Sequence, residues 1–103
     1  MITRMWECRV VPALLDEFIA FIRDTVWADM ELADGFVAGE LYRSLDADAR
    51  LVFISHWRDE EALEAFAGPD WRTAPMVDDL QRDYLAGPSH VWHFTPVLSS
   101  PSG

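Results

Sequence analysis

The chain has 103 residues, half of them hydrophobic, and a formal net charge of −10 from 18 acidic residues against 8 arginines. This length predicts one domain, and the acidic balance argues against nucleic acid and anionic membrane surfaces as partners. A single cysteine, Cys8, excludes a disulfide framework and a cysteine-based zinc site within one chain.

The first six residues lack the basic segment and apolar run of a signal peptide. No apolar run approaches the roughly 18–20 residues that a membrane-spanning helix needs. The chain is therefore expected to be cytoplasmic.

Residues 2–10 alternate weakly between apolar and polar and predict a first strand. From residue 14 to 30 the apolar spacing is helical, and Asp34-Gly35 ends this segment with turn chemistry. Residues 36–45 predict a second strand and residues 46–49 a hairpin loop. Residues 51–57 predict a third strand that is apolar on both faces, as in a strand covered on both sides.

Asp59 is a suitable N-cap for a second helix over residues 60–67, which Gly68-Pro69 ends. A shorter third helix is predicted over residues 76–85 and a last strand over residues 90–97, where Pro96 indicates a sheet edge or the end of pairing. Residues 1–98 are predicted to form the domain, and residues 99–103 a flexible tail.

The order strand, helix, strand, strand, helix, strand is the ferredoxin-like α+β arrangement, βαββαβ, with a four-stranded antiparallel sheet. Two main helices cover one face of such a sheet and leave the other face open. Because an exposed apolar face of that size is a partner site or a liability, the sequence predicts a homodimer.

The search for sequence motifs is negative. The chain has no glycine-rich phosphate loop, no HExxH, no CxxC, no GxSxG and no EF-hand spacing. A nucleotide cofactor and a dedicated metal site are not expected.

The last predicted strand carries the densest cluster of polar and aromatic residues. His90, Trp92 and Phe94 share one face, and His93 lies on the other with Val91. A neutral histidine in a pocket suits a general base near pH 7 or an iron ligand. The alternative is a histidine that is only hydrogen-bonded within the sheet.

Two further pairs of residues are candidates. His56 and Trp57 end the third strand and face opposite ways, although a tryptophan at a strand end just before a helix is usually a core anchor. Trp71 and Arg72 lie in the loop after the second helix, where they could roof a cavity; Arg72 could hold a carboxylate or an enolate, or be an ordinary surface arginine. Cys8 is interpreted as a small buried hydrophobe.

Several short segments together resemble the antibiotic biosynthesis monooxygenase superfamily of small dimeric α/β-barrel proteins. They are the opening Met-Ile-Thr-Arg-Met-Trp, Gly35-Phe36 at the start of the second strand, the segment from Trp57 through Asp-Glu-Glu-Ala-Leu-Glu-Ala-Phe-Ala-Gly-Pro-Asp-Trp, and His93-Phe94. The resemblance covers nearly the whole chain and implies the ferredoxin-like fold and dimer.

The resemblance also implies a function, the cofactor-independent oxygenation of a small aromatic or polyketide-like substrate by O2. A base deprotonates the substrate in a dry aromatic cavity, and donors hold the oxyanion. The residues implied for these roles are His93 or His90 as the base, Trp57, Trp71, Trp92 and His56 along the cavity, and Arg72 or Tyr42 on the oxyanion.

Two alternatives stay open, haem binding and non-catalytic binding of a small molecule. Haem-degrading relatives share an Asn-Trp-His constellation with the histidine on a helix. This sequence contains no asparagine, and its predicted helices contain no histidine. Haem degradation is therefore disfavoured, whereas haem binding through a strand histidine is not.

Overall fold

The computed structural model describes residues 1–73 and 79–100. Four strands form one antiparallel sheet in the order β2-β3-β1-β4. They are β1 (Ile2–Arg9), β2 (Phe36–Arg43), β3 (Arg50–Trp57) and β4 (His90–Phe94). The predicted ferredoxin-like α+β fold is confirmed, and β4 is an edge strand that ends two residues before Pro96.

The first helical stretch follows a 3₁₀ turn at Pro12–Leu14. It runs through α1 (Leu15–Ile22), a π-helical turn at Arg23–Trp27 and α2 (Ala28–Leu32). The sequence predicted this helix but not its wide turn, inside which Thr25 Oγ1 donates to the carbonyl of Phe21 at 2.7 Å.

The second helix, α3 (Glu60–Ala67), begins as predicted, because Asp59 Oδ1 accepts a hydrogen bond from Ala62 N at 2.8 Å. The turn before β2 packs against this helix at Gly35. Gly35 has a φ of +83°, and a Cβ there would collide with the side chain of Ala62. A glycine is therefore required at this contact.

Part of the predicted third helix, residues 74–78, lies outside the described residues, as do residues 101–103 of the predicted tail. In the described remainder the helix is shorter than predicted, because α4 (Asp79–Arg82) ends before residue 83 and Leu85 forms an isolated antiparallel bridge with Val10. No helix of the described ranges is long and apolar enough to cross a membrane.

The helices pack on one face of the sheet and bury alternate residues of the two central strands. On β3 the buried residues are Leu51, Phe53, Ser55 and Trp57. Trp57 is fully buried, contacts the rings of Phe36 and Phe66, and donates its indole N–H to Ser55 Oγ at 3.0 Å. The core therefore lies between the sheet and the helical layer.

The opposite face, called the open face below, is covered by none of the described elements. It consists of the other alternate residues of the strands, among them Met5, Ile54 and His56. Three large aromatic side chains on this face are about half exposed, Tyr42, Trp92 and Phe94. The sheet thus has one buried face and one open, partly apolar face.

Candidate functional site

Arg4 and His93 lie side by side on the helix-covered face. They are directly paired residues of β1 and β4, so their side chains leave the sheet in the same direction. Arg4 is also paired with Ser55 on β3. A buried arginine therefore lies at the centre of the sheet with a histidine next to it.

One guanidinium nitrogen of Arg4 contacts two other residues. Arg4 Nη1 donates to the backbone carbonyl of Trp71 at 2.7 Å and contacts His93 Nε2 at 3.0 Å. Because arginine only donates, Nε2 is the acceptor and the proton of the neutral imidazole is on Nδ1. The His93 ring also lies edge-on to the Trp71 ring, 4.7 Å between centroids. We call Arg4, His93 and Trp71 the partition, because they lie between the two spaces described below.

The surroundings of the partition disfavour additional positive charge. Desolvation lowers the pKa of Arg4 to about 10, so it remains a cation at neutral pH. The pKa of His93 is lowered by desolvation first, and then by the positive charges of Arg4 and Arg72. His93 is therefore neutral near pH 7.

An outer cleft of about 420 Å³ opens to solvent on one side of the partition. Trp71 and His93 form part of its wall, with Ile2 and Phe94 nearby. Arg72 also lines it, with its guanidinium 4.6 Å from the centre of the Trp71 ring and 3.2 Å from Glu60. This volume lies in the range of pockets for drug-sized molecules, roughly 300–1,000 Å³.

A smaller inner cavity lies on the other side, between the sheet and the first helical stretch. Its volume is about 40 Å³, measured as the space that the centre of a water molecule can occupy. Arg4 lines this cavity, and most of the remaining wall is apolar. Trp6 also lines it, and the buried indole N–H of Trp6 has no acceptor among the described residues.

The structure brings together three of the residues proposed from the sequence, because His93, Trp71 and Arg72 all line the outer cleft. Trp57 does not join them. Its ring lies in the core beside α3, and it lines neither the outer cleft nor the inner cavity.

The other four candidates lie on the open face, since side chains alternate along a strand. They are His56, His90, Trp92 and Tyr42. His56 Nδ1 contacts Thr3 Oγ1 at 2.9 Å, and His56 Nε2 lies 3.2 Å from a Glu40 oxygen. His90 stacks on Trp92 and approaches Glu7 at 4.0 Å. The sheet separates all four from the inner cavity.

Arg4 was missed as a candidate from the sequence, although a signal was present. It has the same parity on the first strand as Ile2 and Trp6, the apolar positions of the predicted alternation. A charged residue on an apolar face is rarely buried without a function or a partner. This exception to the alternation was the signal that could have identified it.

The described residues contain no group of three or more His, Cys, Asp or Glu side chains arranged to hold a metal ion. The chemistry that the site offers is instead a buried cation, a neutral imidazole and an aromatic wall. A buried cation is suited to holding an anion, and a neutral imidazole is suited to accepting a proton.

The model of the family described as antibiotic biosynthesis monooxygenase matches residues 1–74. No curated protein matches the chain. Among solved structures, the chain is similar to SnoaB, a cofactor-independent oxygenase from Streptomyces nogalater. The identity is 25%, with 98% of this chain and 97% of that one covered and a TM-score of 0.69.

Two further structures share the fold. A monooxygenase from the gene ActVA-Orf6 of Streptomyces coelicolor, in complex with the ligand nanaomycin D, is 20% identical over 99% of this chain and 92% of its own, with a TM-score of 0.73. A putative antibiotic biosynthesis monooxygenase from Bordetella bronchiseptica is 24% identical over 94% of this chain and 97% of its own, also with a TM-score of 0.73.

Proposed function

Because the chain belongs to the antibiotic biosynthesis monooxygenase family, we propose that it oxygenates an electron-rich aromatic compound such as a phenol, using O2 and no cofactor. The observation that carries this proposal is the hydrogen bond between Arg4 Nη1 and His93 Nε2 beside a cleft of substrate size. The description of SnoaB as a cofactor-independent oxygenase supports the same reaction class.

The first step is a proton transfer. The substrate ring lies in the outer cleft against Trp71, and its hydroxyl displaces the hydrogen bond between Arg4 Nη1 and His93 Nε2. His93 takes the proton as the general base, and the phenolate then lies beside the Arg4 cation. The low pKa of His93 keeps its basic form populated at neutral pH, and the cation stabilises the oxyanion in a site of low dielectric.

The second step uses the electron-rich anion. The phenolate passes one electron to O2, and the resulting radical and superoxide combine to form a carbon–oxygen bond. The hydroperoxide loses the ring hydrogen and one oxygen as water and leaves a quinone. One O2 is consumed and one H2O is released per C–H converted to C=O, and the proton held on His93 leaves with the water.

Substitutions at the pair of residues test this proposal. We expect Arg4→Gln to lower kcat/KM for phenolic or anthrone-like substrates by about 10²–10³-fold, the usual cost of losing an oxyanion donor. His93→Gln is expected to lower it by about 10²–10⁴-fold, because the base is lost. Oxygen uptake in the presence of a chelator measures both effects.

Arg9→Gln is the matched control, because Arg9 lies on the same strand but is exposed and lines neither the cleft nor the cavity. Its activity should equal that of the wild type. Full activity of Arg4→Gln, with normal folding by circular dichroism, would contradict the proposed site. Absence of oxygen uptake by the wild type with every compound of this class would favour a non-catalytic binding protein.

Haem binding is the alternative that a haemin titration tests. The geometry gives it less support, since an iron ion at His93 Nε2 would lie beside the Arg4 cation and both nitrogens of His56 have partners. We expect no saturable shift of the Soret band. A stoichiometric shift that His93→Gln abolishes would overturn the oxygenase proposal in favour of haem.

The same proposal includes a homodimer formed through the open face. Half-exposed Tyr42, Trp92 and Phe94 give this face apolar area that a second copy would bury. Phe94 also borders the outer cleft, so a second copy on this face would lie next to the cleft. Light scattering after gel filtration should give the mass of a dimer, and a stable monomer would contradict this assembly.

A further inference from the structure

The open face carries two carboxylates whose partners differ in kind. The Glu7 carboxylate on β1 lies 3.4 Å from Arg50 Nε, and its side chain is 13% exposed. The Glu40 carboxylate on β2 lies 3.2 Å from His56 Nε2, and its side chain is 37% exposed. An arginine is always protonated in proteins, whereas histidine is the side chain that gains or loses its charge between pH 5 and 8. The charge of the second pair therefore depends on pH, and that of the first does not.

His56 can take up a proton and keep both of its partners. In the neutral imidazole, the Nε2–H group donates to Glu40 and Nδ1 accepts from the hydroxyl of Thr3, at 2.9 Å. In the protonated ring both nitrogens donate, and the hydroxyl of Thr3 becomes the acceptor, since a hydroxyl can do either. Proton uptake therefore changes the charge of this pair and leaves its contacts in place.

The other charges on the open face are balanced. The strand residues with charged or titratable side chains on this face are Glu7, Arg9, Glu40, Tyr42, Arg50, His56 and His90. Two carboxylates and two arginines leave the face without net charge while its histidines are neutral, although the chain as a whole carries −10. Two copies can therefore approach through this face, around the apolar centre at Met5 and Ile54, without the repulsion of their other surfaces.

Assembly through this face would remove water from the pair of Glu40 and His56. A carboxylate that loses its water is costly unless a cation is paired with it. A neutral imidazole gives Glu40 a hydrogen bond only, whereas the protonated ring supplies the positive charge as well. Glu7 has this charge from Arg50 at any pH, and His90 is a more distant neighbour at 4.0 Å. A second copy on the face therefore favours the protonated form of His56.

We infer that the association of two copies through the open face is coupled to the protonation of His56 beside Glu40. The inference rests on the homodimer of the proposed function and adds its regulation, and it involves no substrate. The dimer then binds more protons than two separate copies do. By linkage, a fall in pH shifts the equilibrium toward the dimer and a rise in pH toward the single chain.

The test is sedimentation equilibrium of the whole chain at pH 6, 7 and 8 and constant ionic strength. We expect the Kd of the dimer to be about tenfold higher at pH 8 than at pH 6. Glu40→Gln replaces the carboxylate by an amide that can be buried without a cation, so its dimer should be tighter than the wild type at pH 8 and should not strengthen at pH 6. Glu31→Gln is the matched control. It makes the same change in net charge at an exposed position of α2, and it should keep the dependence of the wild type on pH.

His56→Gln is the second variant. It removes the titrating group, so its Kd should stay at the weaker value of the wild type at pH 8 throughout. For a dimer too tight to dissociate by dilution, urea unfolding at each pH measures the same tenfold effect as about 1.4 kcal/mol between wild type and Glu40→Gln.

The outcomes separate the inference from the proposed function. A Kd that does not change with pH, or that changes equally in Glu40→Gln, would overturn the coupling and leave the dimer standing. A single chain at every pH would overturn both the coupling and the dimer. Oxygen uptake by the wild type decides the proposed reaction independently of either result.

Discussion

Two neighbouring residues of β1 build opposite environments on the two faces of one sheet. Thr3 contacts His56 of β3 on the open face, and Arg4 contacts His93 of β4 on the helix-covered face. His56 has a carboxylate as its second partner, Glu40, whereas His93 has a buried guanidinium. A shift of one position along the strand therefore exchanges an anionic neighbour for a cationic one.

The difference explains why only one of the two histidines is a candidate base. A cation next to an imidazole disfavours its protonated form, and burial adds to this effect, so the pKa of His93 is lowered. Its basic form also borders a cleft of substrate size. His56 contacts Thr3 and Glu40 on the open face and does not line the outer cleft.

The largest difference in stability between the two faces is expected when a tryptophan on each is replaced by alanine. Trp57→Ala removes a fully buried ring that packs on Phe36 and Phe66, and should cost about 3–5 kcal/mol of unfolding free energy. Trp92→Ala removes a side chain that is 44% exposed in a single copy, so the fold of that copy should lose much less. Urea unfolding of both variants measures the difference.

A dilution series sharpens this comparison. The loss in Trp92→Ala should grow with protein concentration, because it acts through assembly on the open face, whereas the loss in Trp57→Ala should not. Equal losses at all concentrations would mean that Trp92 supports the fold of the single chain and that the two faces do not differ in this way.

The next effect is the pH dependence of kcat/KM, which we expect His93 to control and His56 not to affect. His93 must be neutral to act as a base, and its pKa is lowered. We therefore expect kcat/KM to be constant near pH 7 and to fall about tenfold per unit only below the ordinary histidine range around 6.5. His56→Gln should keep this acid limb, and His93→Gln should abolish it along with most of the activity.

The titration can also be followed without activity, by the imidazole proton resonances of His93. Arg4→Gln removes one of the two positive charges that lower the pKa, so the midpoint should move upward. The lowered pKa of His93 also makes the free energy of unfolding depend on pH. The unfolded state binds this proton more readily, so His93 lowers stability as the pH falls through about 6.5. A midpoint of His93 that does not respond to Arg4→Gln would contradict the assigned contact.

The sequence was sufficient to predict the four strands, the two main helices and their order. Local signals fixed several ends, such as the Asp59 cap of α3 and the glycine turn at Gly35. The alternation of the last strand also predicted that His93 and His90 face opposite ways, which the pairing with β1 confirms. Strand parity was therefore readable, because side chains alternate with a period of exactly two residues in any strand.

The composition of the site was less predictable. Parity does not say which face the helices cover, so Trp92, Tyr42 and His56 were as good candidates for a cavity as His93. The central residue, Arg4, depends on pairing with β4, about 90 positions away in the chain. The inner cavity is lined in part by Val26 of the π-helical turn, for which the sequence carried no recognised signal. These features arise from long-range packing, which a local pattern does not encode.

The smallest perturbation compares thiols on the two faces. Burial, and then the charge of Glu7, raises the pKa of Cys8 to about 12, and its side chain is fully buried on the helix-covered face. Since the thiolate is the reactive form, Cys8 should react with a disulfide reagent at pH 8 only as fast as the protein unfolds.

Ala38→Cys introduces a second thiol at an exposed position of β2, paired with His56 on the open face. That thiol should react at the rate of a free one in dilute protein, and more slowly as concentration rises and a second copy covers the face. Equal, concentration-independent rates for both thiols would show that the open face is not an interface and that Cys8 is reached without unfolding.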